Sequence, residues 1–239
     1  MSGLSNTGLP RPMETYAIPG FAEPVSSLTH LLSAGVFAVL GVFLLRRGRG
    51  DAARVFVLGV FVVCCVFLLS MSGVYHLLDS RGAAHRVLQR LDHAAIFAVI
   101  AGSFTPIHWI LFTGWGRWGV LLLIWSLAIT GITLKAIFFD SIPEAVGLAS
   151  YLGLGWIGLA SGLALWRRYG VGLIRSLVYS GLSYTAGGLL EFLRWPVLIP
   201  GVLGPHEFLH IGVIAGIGFH FRLLFGVLDR VISTPDAST

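Results

Sequence analysis

Seven long apolar runs dominate this chain, at residues 27–45, 54–78, 92–112, 117–139, 146–166, 172–193 and 206–228. A hydrocarbon core of about 30 Å is crossed by roughly 20 helical residues, so each run is long enough to span a bilayer. The rest of the composition leaves little alternative. Hydrophobic residues make up 56% of the chain and charged residues 11%, against about 25% charged in a soluble domain. Such a chain cannot cover itself with a polar surface, and lipid is its expected solvent. The expected fold is all-α and integral to the membrane, a seven-transmembrane helix bundle over residues 26–229. A polar N-terminal segment, 1–25, precedes it, and a short polar tail, 230–239, follows.

The segments outside the runs add little chemistry. Pro10, Pro12, Pro19 and Pro24 punctuate the first 25 residues, which contain no apolar core. A cleavable signal peptide needs a basic start and an apolar region, so the first span is expected to stay as an anchor. Cys64 and Cys65 are adjacent and mid-span, which rules out a disulfide framework. The sequence pI is about 9.7. Basic residues beside membrane spans face lipid headgroups, so membrane lipids, and no nucleic acid, are the expected partners. Stretches such as "GLASGLALW" and "GVIAGIG" put small residues at helical spacing, which suits close helix packing in lipid. Pro106 removes one backbone hydrogen bond from the third span and is expected to bend it.

Counting spans places three polar residues at one depth. With seven crossings, the end of span 2, the start of span 3 and the start of span 7 share a membrane face. His76, Asp92 and His206 occupy those positions. By the positive-inside rule, ten basic residues on the opposite face against six on this one favour the opposite, C-terminal face as cytoplasmic.

Ionisable groups at membrane depth are costly and turn toward the bundle interior. Here they cluster. "SMSGVYHLL" sets Ser72 and His76 at i and i+4 on one helix face, and "HEFLH" does the same for His206 and His210. Three neutral imidazoles from two helices suit Zn2+, which in catalytic sites keeps three protein ligands and an open fourth position. Asp92 is the candidate to take a proton from, or hold, an attacking water. Ser72, one turn before His76, could hydrogen-bond the water or a developing oxyanion. His30 opens span 1 just after Glu23 on the same face, and with Glu207 these residues are candidates to support the ligands from behind. His85, His93, His108 and His220, like His30, are not expected to bind the metal.

"HEFLH" also matches the His-Glu-x-x-His pattern of zinc proteases, with Glu207 as base. A protease of this kind needs a third ligand further along the chain. The later aspartates, Asp229 and Asp236, lie at the far end of span 7 and in the tail, out of reach. Glu207 is about 100° round the helix from His206, so it need not face the metal.

The segments "EPVSSLTH", "SGVYHLL", "LDHAAIFAVIAGSFTP", "FLRWPVLIPGVLGPHEFLH" and "GFHF" together make the chain resemble the hemolysin III family. That family is the bacterial branch of the progestin and adipoQ receptors, within a wider set that includes alkaline ceramidases. The resemblance runs from Glu23 to about Phe221. It implies a seven-helix bundle in a bacterial cell membrane, with zinc on the positions matching His76, His206 and His210, and Asp92 and Ser72 at the family's aspartate and serine. It also implies an N-terminus and a zinc site on the cytoplasmic side, opposite to the arginine count. Relatives of the ceramidase type imply zinc-dependent hydrolysis of a lipid amide. The bacterial members' name implies a different class: a cytolytic, pore-type protein, or a receptor-like, lipid-sensing one, whose zinc only ties helices together. Glu207 is a departure, since the family pattern does not require a glutamate there.

Overall fold

A computed structural model describes residues 22–78 and 82–233, and among these residues there is no strand. The helices are α1 (Pro24–Arg47), α2 (Ala52–Leu77), α3 (Ala83–Leu111), α4 (Gly114–Ile137), α5 (Glu144–Trp156), α6 (Gly158–Tyr169), α7 (Val171–Phe192) and α8 (Pro205–Ser233). Starts follow local chemistry. Pro24 opens α1, where a missing N–H costs nothing. Asp51 caps α2 by accepting from the Arg54 amide at 3.1 Å.

The eight helices make seven rods. Ile157, between α5 and α6, keeps right-handed helical angles (φ −54°, ψ −31°) and donates to the Gly153 carbonyl. Residues Glu144–Tyr169 therefore act as one rod. Six rods are long and apolar enough to cross a membrane. The seventh, α7, falls short on apolarity because it carries Arg175, Ser176, Ser180, Ser183 and Thr185. Its 22 residues still reach about 33 Å at 1.5 Å per residue. Both of its ends lie beside α8. At one, Arg230 of α8 donates to the Tyr169 carbonyl; at the other, Glu191 approaches His206. So α7 runs the length of α8, antiparallel to it.

One hydroxyl of α7 bonds to α8. Ser180 Oγ donates to the Gly216 carbonyl at 2.8 Å. The two backbones nearly touch at Gly187 and Gly212, where a Cβ on Gly212 would lie 2.7 Å from the Ser183 carbonyl oxygen. Only a residue without a side chain allows that approach. The other hydroxyls bond back into α7 itself, Ser183 Oγ to the Tyr179 carbonyl and Thr185 Oγ1 to the Gly181 carbonyl, both at 2.8 Å.

The main core lies away from the site, where Phe37, Phe61 and Phe221 meet with ring centroids 5.0–5.1 Å apart. The outer surface carries large exposed apolar side chains, among them Leu32, Phe56, Val63, Leu122 and Leu159. That pattern is what lipid requires of a multi-pass integral membrane protein. Helix α3 is the most enclosed rod, and it passes through Pro106 to Leu111. It also begins at Ala83, nine residues before the apolar run that marks it in the sequence. The extra turns, "AAHRVLQR", are helical but too polar for hydropathy to register. Asp92 is consequently inside the helix, not at its mouth.

Candidate metal centre

His76 sits in the last turn of α2, and His206 and His210 sit in the first two turns of α8. The three rings form a near-equilateral triangle, with centroids 4.8 Å (His76–His206), 4.9 Å (His76–His210) and 4.6 Å (His206–His210) apart. One ring nitrogen from each lies within 4.8 Å of the others, a group that could hold a metal ion. His76 and His210 are buried, while His206 is half-buried.

The start of α1 is laced onto the end of α2, and this fixes His76. The amide of Ala22 donates to the Leu77 carbonyl at 3.3 Å and that of Glu23 to the His76 carbonyl at 3.0 Å. One turn further in, Ser27 Oγ donates to the Gly73 carbonyl at 2.8 Å. Gly73 is required there, since a Cβ would stand 2.6 Å from Leu31 Cγ. The result holds the Glu23 carboxylate 2.6 Å from His76 Nδ1. A carboxylate accepts, so Nδ1 carries the proton and His76 Nε2 presents a lone pair. That nitrogen faces His206 Nε2 at 3.1 Å. A carboxylate behind an imidazole is the usual way a metal-binding histidine is oriented and made more basic.

The first turn of α8 explains Glu207. Its Oε2 accepts from the Gly204 amide at 2.8 Å, three residues back, and its Oε1 accepts from Ser26 Oγ at 2.8 Å. The first bond is half of a capping box, with Pro205 at the position after the cap; the second pins α8 to α1. Both oxygens are engaged away from the imidazoles, so the His-Glu-x-x-His pattern arises from helix capping. Asp229 lies far down α8, paired with Arg47, and Asp236 falls outside the described residues.

The other sequence candidates are placed as follows. His30 is buried and stacks on His210, with centroids 3.7 Å apart and planes 6° from parallel, and among the described residues neither of its nitrogens has a hydrogen-bond partner. Ser72 is buried one turn before His76 on α2. The Asp92 side chain is 13% exposed, with Oδ2 3.8 Å from His93 Nδ1. Among the described residues, no hydrogen bond joins Asp92 or Ser72 to the three imidazoles. His93 donates to the Gln89 carbonyl, His108 to that of Gly116 and His220 to that of Ser103. His85 packs on Tyr75.

One neighbour was missed from the sequence. Glu191, near the end of α7, places Oε1 3.5 Å from His206 Nδ1. The signal was available, because an ionisable side chain inside an apolar run is a candidate by the same rule that picks out His76.

Known proteins resemble this chain along most of its length. Residues 21–221 match the family described as haemolysin-III related. Hemolysin-3 of Bacillus cereus is 28% identical over 214 residues, covering 89% of this chain and 93% of the relative. A Hemolysin-3 homolog of Bacillus subtilis is 27% identical over 177 residues, covering 72% and 80%.

Proposed function

The chain belongs to the haemolysin-III related family, and from that premise we propose that it is a zinc-dependent intramembrane hydrolase acting on a lipid amide. The observation that carries this reading is the convergence of His76, His206 and His210, with the Glu23 carboxylate behind His76. The donor set fits zinc. Neutral imidazoles suit it, and Zn–N bonds of about 2.0–2.1 Å place tetrahedral donors about 3.3 Å apart. The His76–His206 pair is at 3.1 Å and all three donors are within 4.8 Å of one another.

Bound there, zinc supplies a Lewis acid that polarises a carbonyl and acidifies water. The protein supplies the rest. Glu23 keeps the proton on His76 Nδ1 and the lone pair on Nε2. Asp92, at the same end of the bundle, is the group to accept a proton from the attacking water and return it to the leaving amine. Ser72 offers its hydroxyl to the developing oxyanion. The site lies near the end of α2 and the start of α8, and a lipid's amide linkage sits close to its headgroup, which favours a lipid amide as substrate.

A second reading has one observation in its favour. The two Bacillus relatives are called Hemolysin-3 or its homolog, and Asp92 and Ser72 make no hydrogen bond to the imidazoles. In that reading zinc clamps α2 to α8 in a cytolytic or lipid-sensing protein. The discriminating experiment uses purified protein in lipid nanodiscs, with zinc content and release of fatty acid from a ceramide measured together. Asp92→Ala is expected to retain one zinc and lose at least 100-fold in turnover. Stoichiometric zinc in a wild-type protein that hydrolyses no lipid amide would leave the clamp as the better account.

A further inference from the structure

We infer that Glu191 is a positioning residue for the metal, the counterpart on His206 of what Glu23 is on His76; this rests on the metal reading proposed above. The two ligand histidines are built alike. Each turns Nε2 toward the other, at 3.1 Å, and each turns Nδ1 toward a carboxylate. For His76 that carboxylate is Glu23, at 2.6 Å. For His206 it is Glu191, at 3.5 Å, a gap that a small ring rotation closes. His210 differs, because its Nδ1 has no hydrogen-bond partner among the described residues and its ring lies flat on His30.

Glu191 is itself held. Arg194 Nη1 donates to its Oε1 at 2.8 Å, and Arg194 Nη2 donates to both oxygens of Glu144, at 2.9 and 2.8 Å. The chain Glu144–Arg194–Glu191–His206 thus runs from the start of α5 through the end of α7 to the first turn of α8. Its pivot is strained. Arg194 has φ 55°, the left-handed conformation after a helix end that glycine adopts far more readily. A side chain at that position is kept against its backbone preference, and the ion pairs on both sides are what that side chain provides.

The geometry gives Glu191 two effects. Accepting from Nδ1–H fixes the His206 tautomer, so that Nε2 is the donor atom. A negative charge behind the ring strengthens that donor. Arg194 sets where the carboxylate lies.

The test is zinc affinity of the full-length protein in nanodiscs, by competition with a chromophoric chelator, together with the visible spectrum of the cobalt-substituted protein. Glu191→Ala is expected to weaken zinc 10–100-fold, the range for losing a carboxylate behind a histidine ligand, and to shift the cobalt bands. Glu191→Gln keeps an oxygen acceptor without the charge, and an intermediate loss is expected. Arg194→Gly removes the guanidinium while relieving the backbone, so an affinity loss there cannot be assigned to strain. Zinc binding within twofold of wild type in both Glu191 variants, with an unchanged cobalt spectrum, overturns the inference and leaves the metal site standing. A wild-type protein that binds zinc no better than His206→Ala overturns both. Should Glu191→Ala fail to fold, the glutamine and Arg194→Gly variants carry the same comparison.

Discussion

Buried histidines occur in both halves of the bundle, and the two groups differ in what their second nitrogen meets. In the half away from the site, His220 donates to the Ser103 carbonyl at 3.1 Å and packs against Phe61, with centroids 5.0 Å apart. His108 donates to the Gly116 carbonyl at 2.8 Å and lies between Phe104 and Phe112. Each spends one nitrogen on a backbone carbonyl and lies among aromatic rings. At the site, His76 spends one nitrogen on a carboxylate and turns the other toward His206. Burial is similar, with His220 and His210 both 3% exposed. The difference is chemical. A carbonyl partner leaves His108 and His220 as packing groups, while a carboxylate behind His76 and an imidazole in front of it suit that ring to holding a metal.

The sharpest way to break this comparison is to remove one histidine from each group. His206→Ala and His210→Ala are expected to take the purified protein from one equivalent of metal to none by elemental analysis. His220→Ala is expected to keep the metal and lower stability by about 1–3 kcal/mol, because it leaves a cavity beside Phe61 and removes the bond to the Ser103 carbonyl. Metal lost equally from the His220 variant would erase the distinction.

A smaller effect isolates the carboxylate. Glu23→Gln keeps a hydrogen-bond acceptor beside His76 Nδ1 and removes the charge. Zinc affinity is expected to fall by about tenfold, at the low end for changes behind a ligand, with helix content unchanged by circular dichroism. An unaltered affinity would mean that Glu23 serves only to lace α1 onto α2.

Much of this was legible in the letters, for identifiable reasons. The rods follow from apolar length, and the three imidazoles follow from i, i+4 spacing plus the parity of crossings. Two features were not legible. The start of α3 was hidden because its first turns are polar, and Asp92 was therefore placed too near the helix mouth. The stacking of His30 on His210 depends on how α1 leans on α8, which no spacing encodes. Glu191 belongs to another category: its type and depth were readable, but a single glutamate near a span end gives no hint of which ring it faces.

The smallest expected effect concerns the residue whose motif is the most suggestive. Glu207 follows His206 as a protease base would, yet its oxygens are taken by the Gly204 amide and the Ser26 hydroxyl. Glutamine can make the same capping bond to the backbone, so Glu207→Gln loses mainly the interaction of a charge with the helix N-terminus, about 0.3–1 kcal/mol. Zinc content and any lipid-amide hydrolysis are expected to match wild type, with a shift of a few degrees at most in thermal unfolding. Activity abolished in a variant that still binds zinc would return Glu207 to the chemistry and make the capping geometry a resting arrangement. Retained activity assigns the glutamate to the helix start, where the capping bond and the tie to α1 hold the first turn of α8, and with it His206, in place.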